Sequence, residues 1–251
     1  MPGSTNVRYV YDGSFDGFLC CVYESVYEKE VPCAIAAEYE AQPCLFVDKI
    51  ITTDEAKALR VFSSFGVKIH PSIGELIQCV FLSCMEEKEL AMLRYLLFAY
   101  KRGRAAAFML GHPLLQPLLA AQRSLKGETH LLLGFIRFAD VGGALVARIT
   151  PKNYVLPFLQ AHFCGRYANE NFLIFDQTHH AALMYQNHEA QIVQLDALQT
   201  PLPDADELHY QALWKQFYKT IGIAARENPR CRMTHMPKRY WKNMLEMLDA
   251  I

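Results

Sequence analysis

The sequence lacks cysteine pairs of the Cys-x-x-Cys kind, although its 251 residues include eight cysteines, at positions 20, 21, 33, 44, 79, 84, 164 and 231. Zinc sites and dithiol redox sites need such close pairs, because two thiolates must converge on one point. The adjacent Cys20 and Cys21 would diverge on a helix. We therefore expect buried apolar cysteines in a reducing compartment, with neither a bound metal nor a cofactor.

Neither a leader peptide nor a membrane-spanning run is expected, and the sequence has little net charge. The N-terminus has no basic stretch followed by an apolar run, and the apolar residues 90–97 are interrupted by Arg94 and too few to cross a bilayer. We expect a cytoplasmic protein without a membrane partner. The formal net charge of -1 provides no global attraction to DNA, so an electrostatic partner must meet a local patch.

Nucleotide-binding and hydrolase motifs are missing as well. The sequence has no Gly-x-x-x-x-Gly-Lys loop, no Gly-x-Gly-x-x-Gly turn and no Gly-x-Ser-x-Gly elbow. These absences favour a binding role over an enzymatic one. Hydrophobic residues make up 52% of the chain, which is enough for a sizeable core.

The spacing of apolar residues predicts an α+β fold within a single domain, 1–251. Residues 7–11 are typical of a strand, and residues 15–27 have the apolar spacing of an amphipathic helix. The stretch between residues 30 and 51 is predicted to be loop with one extended piece. Three sub-parts are then expected: a helical block or insertion at 52–130, a hairpin–helix–meander sheet at 134–200, and C-terminal helices at 207–251. The predicted sheet is small and antiparallel, its first hairpin strand is placed at 134–138, and helices pack against it.

Positive charge is concentrated in residues 226–242, which we name the C-terminal basic segment. Its basic side chains outnumber its single acid, Glu227, by five, and they are Arg226, Arg230, Arg232, Lys238, Arg239 and Lys242. Such a local excess suits phosphate binding, because neutralising phosphates releases condensed counterions. Tyr240 and Trp241 offer rings that stack on exposed bases, at about 1–3 kcal/mol each.

Two other interpretations of this segment stay open. It is either a docking surface for a protein partner, or a structural segment that pairs with the acidic residues 204–207 and places Trp241 in the core. Arg137 and Arg148, on the two strands of the predicted hairpin, either extend the basic surface or are ordinary solvated residues.

Two aspartates are candidates for acid–base chemistry. Asp12 lies in Asp12-Gly13-Ser14, between the first strand and the first helix, where a turn-and-cap role is the alternative. Asp176 lies in a strand connection with His179 and His180, where a surface turn is the alternative to a metal site.

Six stretches together resemble a known family in their order and spacing: residues 11–17 (YDGSFDG), 134–138 (GFIRF), 147–151 (ARITP), 162–167 (HFCGRY), 210–214 (YQALW) and 237–242 (PKRYWK). The family is DUF4130, whose members are described as DNA metabolism proteins. One departure is the stretch 129–133, which has no basic residue where the family pattern has them.

The resemblance implies a DNA context but no catalytic residues. Members of the family are encoded beside a radical-SAM protein of DNA repair or modification, and the domain also occurs fused to uracil-DNA glycosylase. The expected function is therefore an accessory protein of DNA repair or modification that binds nucleic acid or the radical-SAM protein. The alternatives are an enzyme acting on damaged bases, with Asp12 or Asp176 as acid or base, and a protein-interaction scaffold.

Overall fold

The chain folds into two compact units, residues 1–125 and 126–251. The computed structural model describes residues 6–40, 45–223 and 227–250, so Cys44 and Arg226 lie outside the described residues. The boundary between the units falls inside one long helix, α5 (Gln116–Phe135). The mixture of helices and small sheets predicted from the sequence is confirmed.

Unit 1 contains a three-stranded parallel sheet of order β2-β1-β3. The central strand β1 (Val7–Tyr11) is rich in β-branched and aromatic residues and pairs with β2 (Ala34–Ala37) and β3 (Val47–Ile50). The sequence indicated one extended piece between residues 30 and 51, whereas the structure has two edge strands there; Ala-Ile-Ala-Ala and Val-Asp-Lys-Ile are short and have weak strand propensity.

Helices supply most of the core of unit 1. They are α1 (Phe15–Glu28), α2 (Glu55–Ser64), α3 (Ser72–Phe81), α4 (Lys88–Arg102) and the first part of α5. The side chains of Ser14 and Asp54 cap α1 and α2 by accepting hydrogen bonds from the backbone N–H groups of Gly17 and Lys57. The core cluster includes the fully buried Phe18 and Leu96. The apolar spacing of α1 identified its buried face up to Val22, but Val26 and Tyr27, predicted on the same face, are 48% and 71% exposed.

Unit 2 is built on a five-stranded mixed sheet of order β4-β5-β6-β7-β8. The strands are β4 (Ala139–Val141), β5 (Ala144–Ile149), β6 (Phe172–Asp176), β7 (Ala181–Gln186) and β8 (Glu189–Gln194). The pair β5–β6 is parallel and is connected through α6 (Leu156–Arg166), whereas the other neighbours are antiparallel. The prediction of an antiparallel sheet is therefore wrong for unit 1 and for the centre of unit 2.

The first predicted hairpin strand, residues 134–138, is wrong as well. The helix α5 continues to Phe135, and β4 begins only at Ala139. The backbone N–H of Ile136 donates to the Leu132 carbonyl at 3.1 Å, so helical hydrogen bonding continues across the stretch that was predicted as a strand. Gly142 and Gly143 adopt the positive φ angles, 63° and 84°, that the tight turn between β4 and β5 requires.

The end of unit 2 contains α7 (Ala205–Ile221), α8 (Pro229–His235) and two 3-10 segments, Lys238–Asn243 and Leu245–Ala250. The stretch predicted as C-terminal helices thus ends in 3-10 rather than regular α-helical turns. Pro229 begins α8, with the Asn228 side chain as its cap. Within the described residues, no helix has the length and hydropathy needed to cross a membrane.

Candidate nucleic-acid interface

Tyr240 and Trp241 are buried in the core of unit 2, at 2% and 4% exposure. The indole Nε1–H of Trp241 donates a hydrogen bond to the carbonyl of Met236 at 2.9 Å, and the Tyr240 hydroxyl donates to Glu128 Oε1 at 3.1 Å. Burial contradicts the interpretation that these rings stack on bases, because neither ring presents a face to solvent. It confirms the alternative in which Trp241 belongs to the core.

Glu128 is the acceptor around which this part of the segment is organised. Its carboxylate, 1% exposed, accepts hydrogen bonds from the backbone N–H groups of Lys152 and Asn153 and from the Asn153 side chain. Arg239 Nη2 lies 3.0 Å from Glu128 Oε1 and also contacts the Tyr240 hydroxyl. Burial and the charge of Glu128 raise the pKa of Tyr240 to about 12, so its hydroxyl stays a donor.

Arg137 forms a second buried pair, with Glu246. Its Nη2 and Nε atoms donate to Glu246 Oε1 at 2.7 and 3.1 Å, and its Nη1 donates to the carbonyls of Gly134 and Ile136. The indole Nε1–H of Trp214 donates to Glu246 Oε2 at 3.0 Å. Burial acts to raise the pKa of Glu246, but these hydrogen bonds outweigh it and hold the pKa below the ordinary value.

The donors of Arg137 are thus used inside unit 2. Arg148 is also engaged, because its Nη2 donates to Thr200 Oγ1 at 2.8 Å and to the Leu198 carbonyl at 3.3 Å. We therefore leave both arginines out of the interface proposed below. Among the described residues of the segment, Arg239 pairs with Glu128 and not with residues 204–207.

The candidate interface consists of those cations of the C-terminal basic segment that reach solvent. Arg230, Lys238 and Lys242 are exposed, and Arg232 is half-buried. Arg232 and Lys238 lie over the same ring, each with its charged group 5.6 Å from the Trp241 ring centroid. Arg232 Nε is buried without a hydrogen-bond partner among the described residues. Two positive charges are thus held beside one indole.

Asp12 serves the turn between β1 and α1. Its Oδ1 accepts from the backbone N–H and the hydroxyl of Ser14, and its Oδ2 accepts from Thr53 Oγ1 at 2.8 Å. Burial acts to raise the pKa of Asp12, yet these hydrogen bonds lower it overall. Gly17 is required beside it, because a Cβ at this position would collide with Asp12 Oδ1. Both carboxylate oxygens are therefore occupied in positioning the turn.

Asp176 lies at the end of β6 and is completely buried. Its Oδ1 accepts from the backbone N–H groups of Thr178 and His179, and its Oδ2 lies 2.6 Å from His179 Nδ1. The neighbouring His180 instead places its Nδ1 3.0 Å from the Asp196 carbonyl oxygen. The two histidines therefore do not converge, and the described residues contain no group of three or more His, Cys, Asp or Glu placed to hold a metal ion.

A groove of about 360 Å³ in unit 1 lies between α1, α2 and α3. It is lined mainly by apolar side chains, with Asp16, Glu55 and Gln78 at its polar positions. Asp12 is not among its lining residues, so the groove does not make Asp12 a catalytic candidate.

Sequence reasoning did not identify Glu128 or Glu246, and it did not single out the pairing of Asp176 with His179. For Glu128 a signal exists: Leu125, Glu128 and Leu132 follow at three- and four-residue spacing on α5, which places an acid on a core face. Glu246 has no such signal, because its partner Arg137 is 109 residues away.

The comparisons with known proteins give one match. The family model DUF4130, described as a domain of unknown function, matches residues 86–246, which is more than half of the chain and includes all of the C-terminal basic segment. The stretch 11–17 lies outside the matched range. No curated protein matches the chain.

Proposed function

The chain belongs to the DUF4130 family, and from that premise we propose that it is an accessory protein of DNA repair or modification that binds nucleic acid. The observation that carries the proposal is the set of exposed cations in the C-terminal basic segment, Arg230, Lys238 and Lys242, beside the half-buried Arg232. The DNA context comes from the family resemblance.

Electrostatics support an anionic ligand at this surface. Arg232 and Lys238 each place a charged group 5.6 Å from the Trp241 ring centroid, so at most twice that distance separates the two like charges. A phosphate bound near them offsets their repulsion. Within the described part of the chain, Arg230, Lys238 and Lys242 form no ion pair, and the carboxylates of Glu128 and Glu246 are used by Arg239 and Arg137, so a phosphate also satisfies these donors.

Fluorescence anisotropy with labelled single- and double-stranded oligonucleotides tests the proposal. Binding should weaken steeply with salt, and the triple variant Arg230→Gln/Lys238→Gln/Lys242→Gln should lower the slope of log affinity against log salt by about 3 for duplex DNA. The matched control is Arg60→Gln/Arg94→Gln/Arg123→Gln, which removes the same charge from three exposed arginines on separate helices of unit 1. No binding at low salt, or an equal loss in the control, would contradict the proposal.

A second candidate function, docking of the radical-SAM protein, is favoured by α7. Among the 17 residues of this helix only Glu207 is buried, and one face carries exposed apolar side chains at helical spacing: Tyr210 at 67%, Leu213 at 47%, Phe217 at 51% and Ile221 at 61%. Such an apolar aromatic face is typical of a surface that binds another protein.

Co-purification with the radical-SAM protein, with and without DNA, tests this candidate. The variant Leu213→Glu/Phe217→Glu should abolish capture without affecting oligonucleotide binding. The control Leu59→Glu changes a leucine on α2 that is more exposed than Leu213, and it should leave capture intact. Capture that survives the double variant, or that requires DNA, would count against docking through α7.

A further inference from the structure

The carboxyl ends of β5 and β6 bring polar side chains of unit 2 to one edge of the sheet. The two strands are parallel neighbours, with Ile149 opposite Asp176 at their ends. The chain leaves β5 through Tyr154 and enters α6, and it leaves β6 through His179. Ligands of α/β sheets bind outside the carboxyl ends of parallel strands.

Asp176 and His179 form a dyad at this edge. The carboxylate is completely buried, and two backbone N–H groups fix its Oδ1, so Oδ2 is left to accept the proton on His179 Nδ1 at 2.6 Å. A proton held on Nδ1 leaves the lone pair of the neutral ring on Nε2. The side chain of His179 is 26% exposed, whereas that of Asp176 is 0% exposed. This is the arrangement in which a carboxylate orients a histidine as a base.

Tyr154 fixes the plane of the His179 ring. The two rings meet edge to face at 86°, with centroids 5.4 Å apart. Burial and the charge of Asp176 raise the pKa of the Tyr154 phenol, which therefore remains protonated. Held by a carboxylate on one nitrogen and by an aromatic ring on one side, the imidazole has little freedom to turn.

The charged groups at this edge are of both signs. The acids Glu128 and Asp176 are buried and paired, Glu128 with the guanidinium of Arg239. Lys152 is exposed on a segment that Glu128 holds, and Asp196 is exposed just beyond the end of β8 at the same edge. Lys152 offers one cation to a phosphodiester oxygen, and the substrate class otherwise rests on the proposed binding of nucleic acid.

We propose that His179 is a general base, positioned by Asp176, at a site that hydrolyses phosphodiesters. His179 Nε2 takes a proton from water, and the water oxygen forms a bond to phosphorus. The bond from phosphorus to the leaving oxygen breaks, that oxygen keeps the electron pair and takes a proton from solvent, and His179 returns its proton to solvent. The substrate class rests on the proposed binding of nucleic acid, whereas the base itself does not.

The test uses the full chain with two probes, bis(p-nitrophenyl) phosphate and a labelled oligonucleotide. His179→Gln and Asp176→Asn should each lower the hydrolysis rate by about 100-fold or more. An asparagine at 176 still accepts the backbone N–H groups, but its amide donates to Nδ1 and moves the ring proton to Nε2. Long-range ¹⁵N–¹H spectra should show that tautomer change in the folded variant, and the limb of the pH–rate profile that belongs to the base should vanish in His179→Gln.

His180→Gln is the matched control, because this adjacent histidine contacts a backbone carbonyl instead of a carboxylate, and its rate should equal that of the parent chain. Absence of hydrolysis in the parent chain, or rates unchanged in His179→Gln and Asp176→Asn, overturns the inference. Oligonucleotide binding without hydrolysis supports the proposed function and contradicts the role of His179 as a base. Cleavage of the small probe without oligonucleotide binding supports the base and contradicts the proposed function.

Discussion

The two sides of the C-terminal basic segment have different surroundings, although they alternate along the same short stretch of sequence. On the inner side, Arg239, Tyr240 and Trp241 are tied to Glu128 and the core of unit 2. On the outer side, Arg230, Lys238 and Lys242 reach solvent. Local net charge counts both sides equally, but only the outer cations are free to meet a ligand. A charge excess in sequence therefore overstates the size of a binding surface.

Glu128→Ala, a substitution on the inner side, should lower the stability of the fold the most. The substitution leaves Arg239, the Tyr240 hydroxyl and the donors of Asn153 without their buried acceptor. We expect the free energy of unfolding to fall by about 3–5 kcal/mol, measured by urea denaturation followed by circular dichroism. Glu170→Ala, an exposed acid of the same unit, should stay within about 0.5 kcal/mol of the parent. Equal effects of the two would remove the distinction between inner and outer sides.

A smaller effect is expected from Glu246→Gln, and it should depend on pH. The folded-state pKa of Glu246 is held below 4.5, so the unfolded chain binds this proton more readily. Hydrogen bonds to this charged group contribute about 1.5–3 kcal/mol. That stabilisation is fully present above the pKa of the unfolded chain and is lost as pH falls through the folded-state pKa. Denaturation at several pH values should show the parent and the variant converging in acid, whereas a constant difference would contradict the assignment.

Tyr240→Phe should cost about 1 kcal/mol, because the ring remains in the core and only the contacts of its hydroxyl with Glu128 and Arg239 are lost. The same denaturation measurement checks it, and oligonucleotide affinity should not change. A loss of affinity in this folded variant would place Tyr240 in the interface after all.

The smallest effect on stability should come from the outer cations. Arg230→Gln/Lys238→Gln/Lys242→Gln should change the free energy of unfolding by less than about 1 kcal/mol, most of it from Lys238 over Trp241. A loss of several kcal/mol would show that these residues hold the fold, and the contrast between the two sides would disappear.

Periodic patterns predicted the elements whose partners are near in sequence, and they failed where partners are distant. The strand β1 and the helices α1 to α4 follow from local spacing and caps. The parallel pairing of β1 with β2 and β3 does not follow from local spacing. A four-residue edge strand has no sequence pattern that indicates a parallel neighbour.

The residues of the candidate site were likewise predictable only where the signal is local in sequence. The C-terminal basic segment and Asp176 were found from sequence, because charge and residue type are local. The sequence did not show which cations are neutralised, because Glu128 and Arg239 are far apart in the chain. The position of His179 on Asp176 depends on a turn geometry that three residues of sequence do not determine.

The chain contains only two tryptophans, and both belong to unit 2. Trp241 is buried with two cations beside its ring, while Trp214 is 38% exposed and its indole N–H donates to Glu246. Light absorbed at the red edge of the protein spectrum is therefore emitted by unit 2 alone. The emission reports on the surroundings of these two rings, so the molecule provides its own optical label for the unit that carries the C-terminal basic segment.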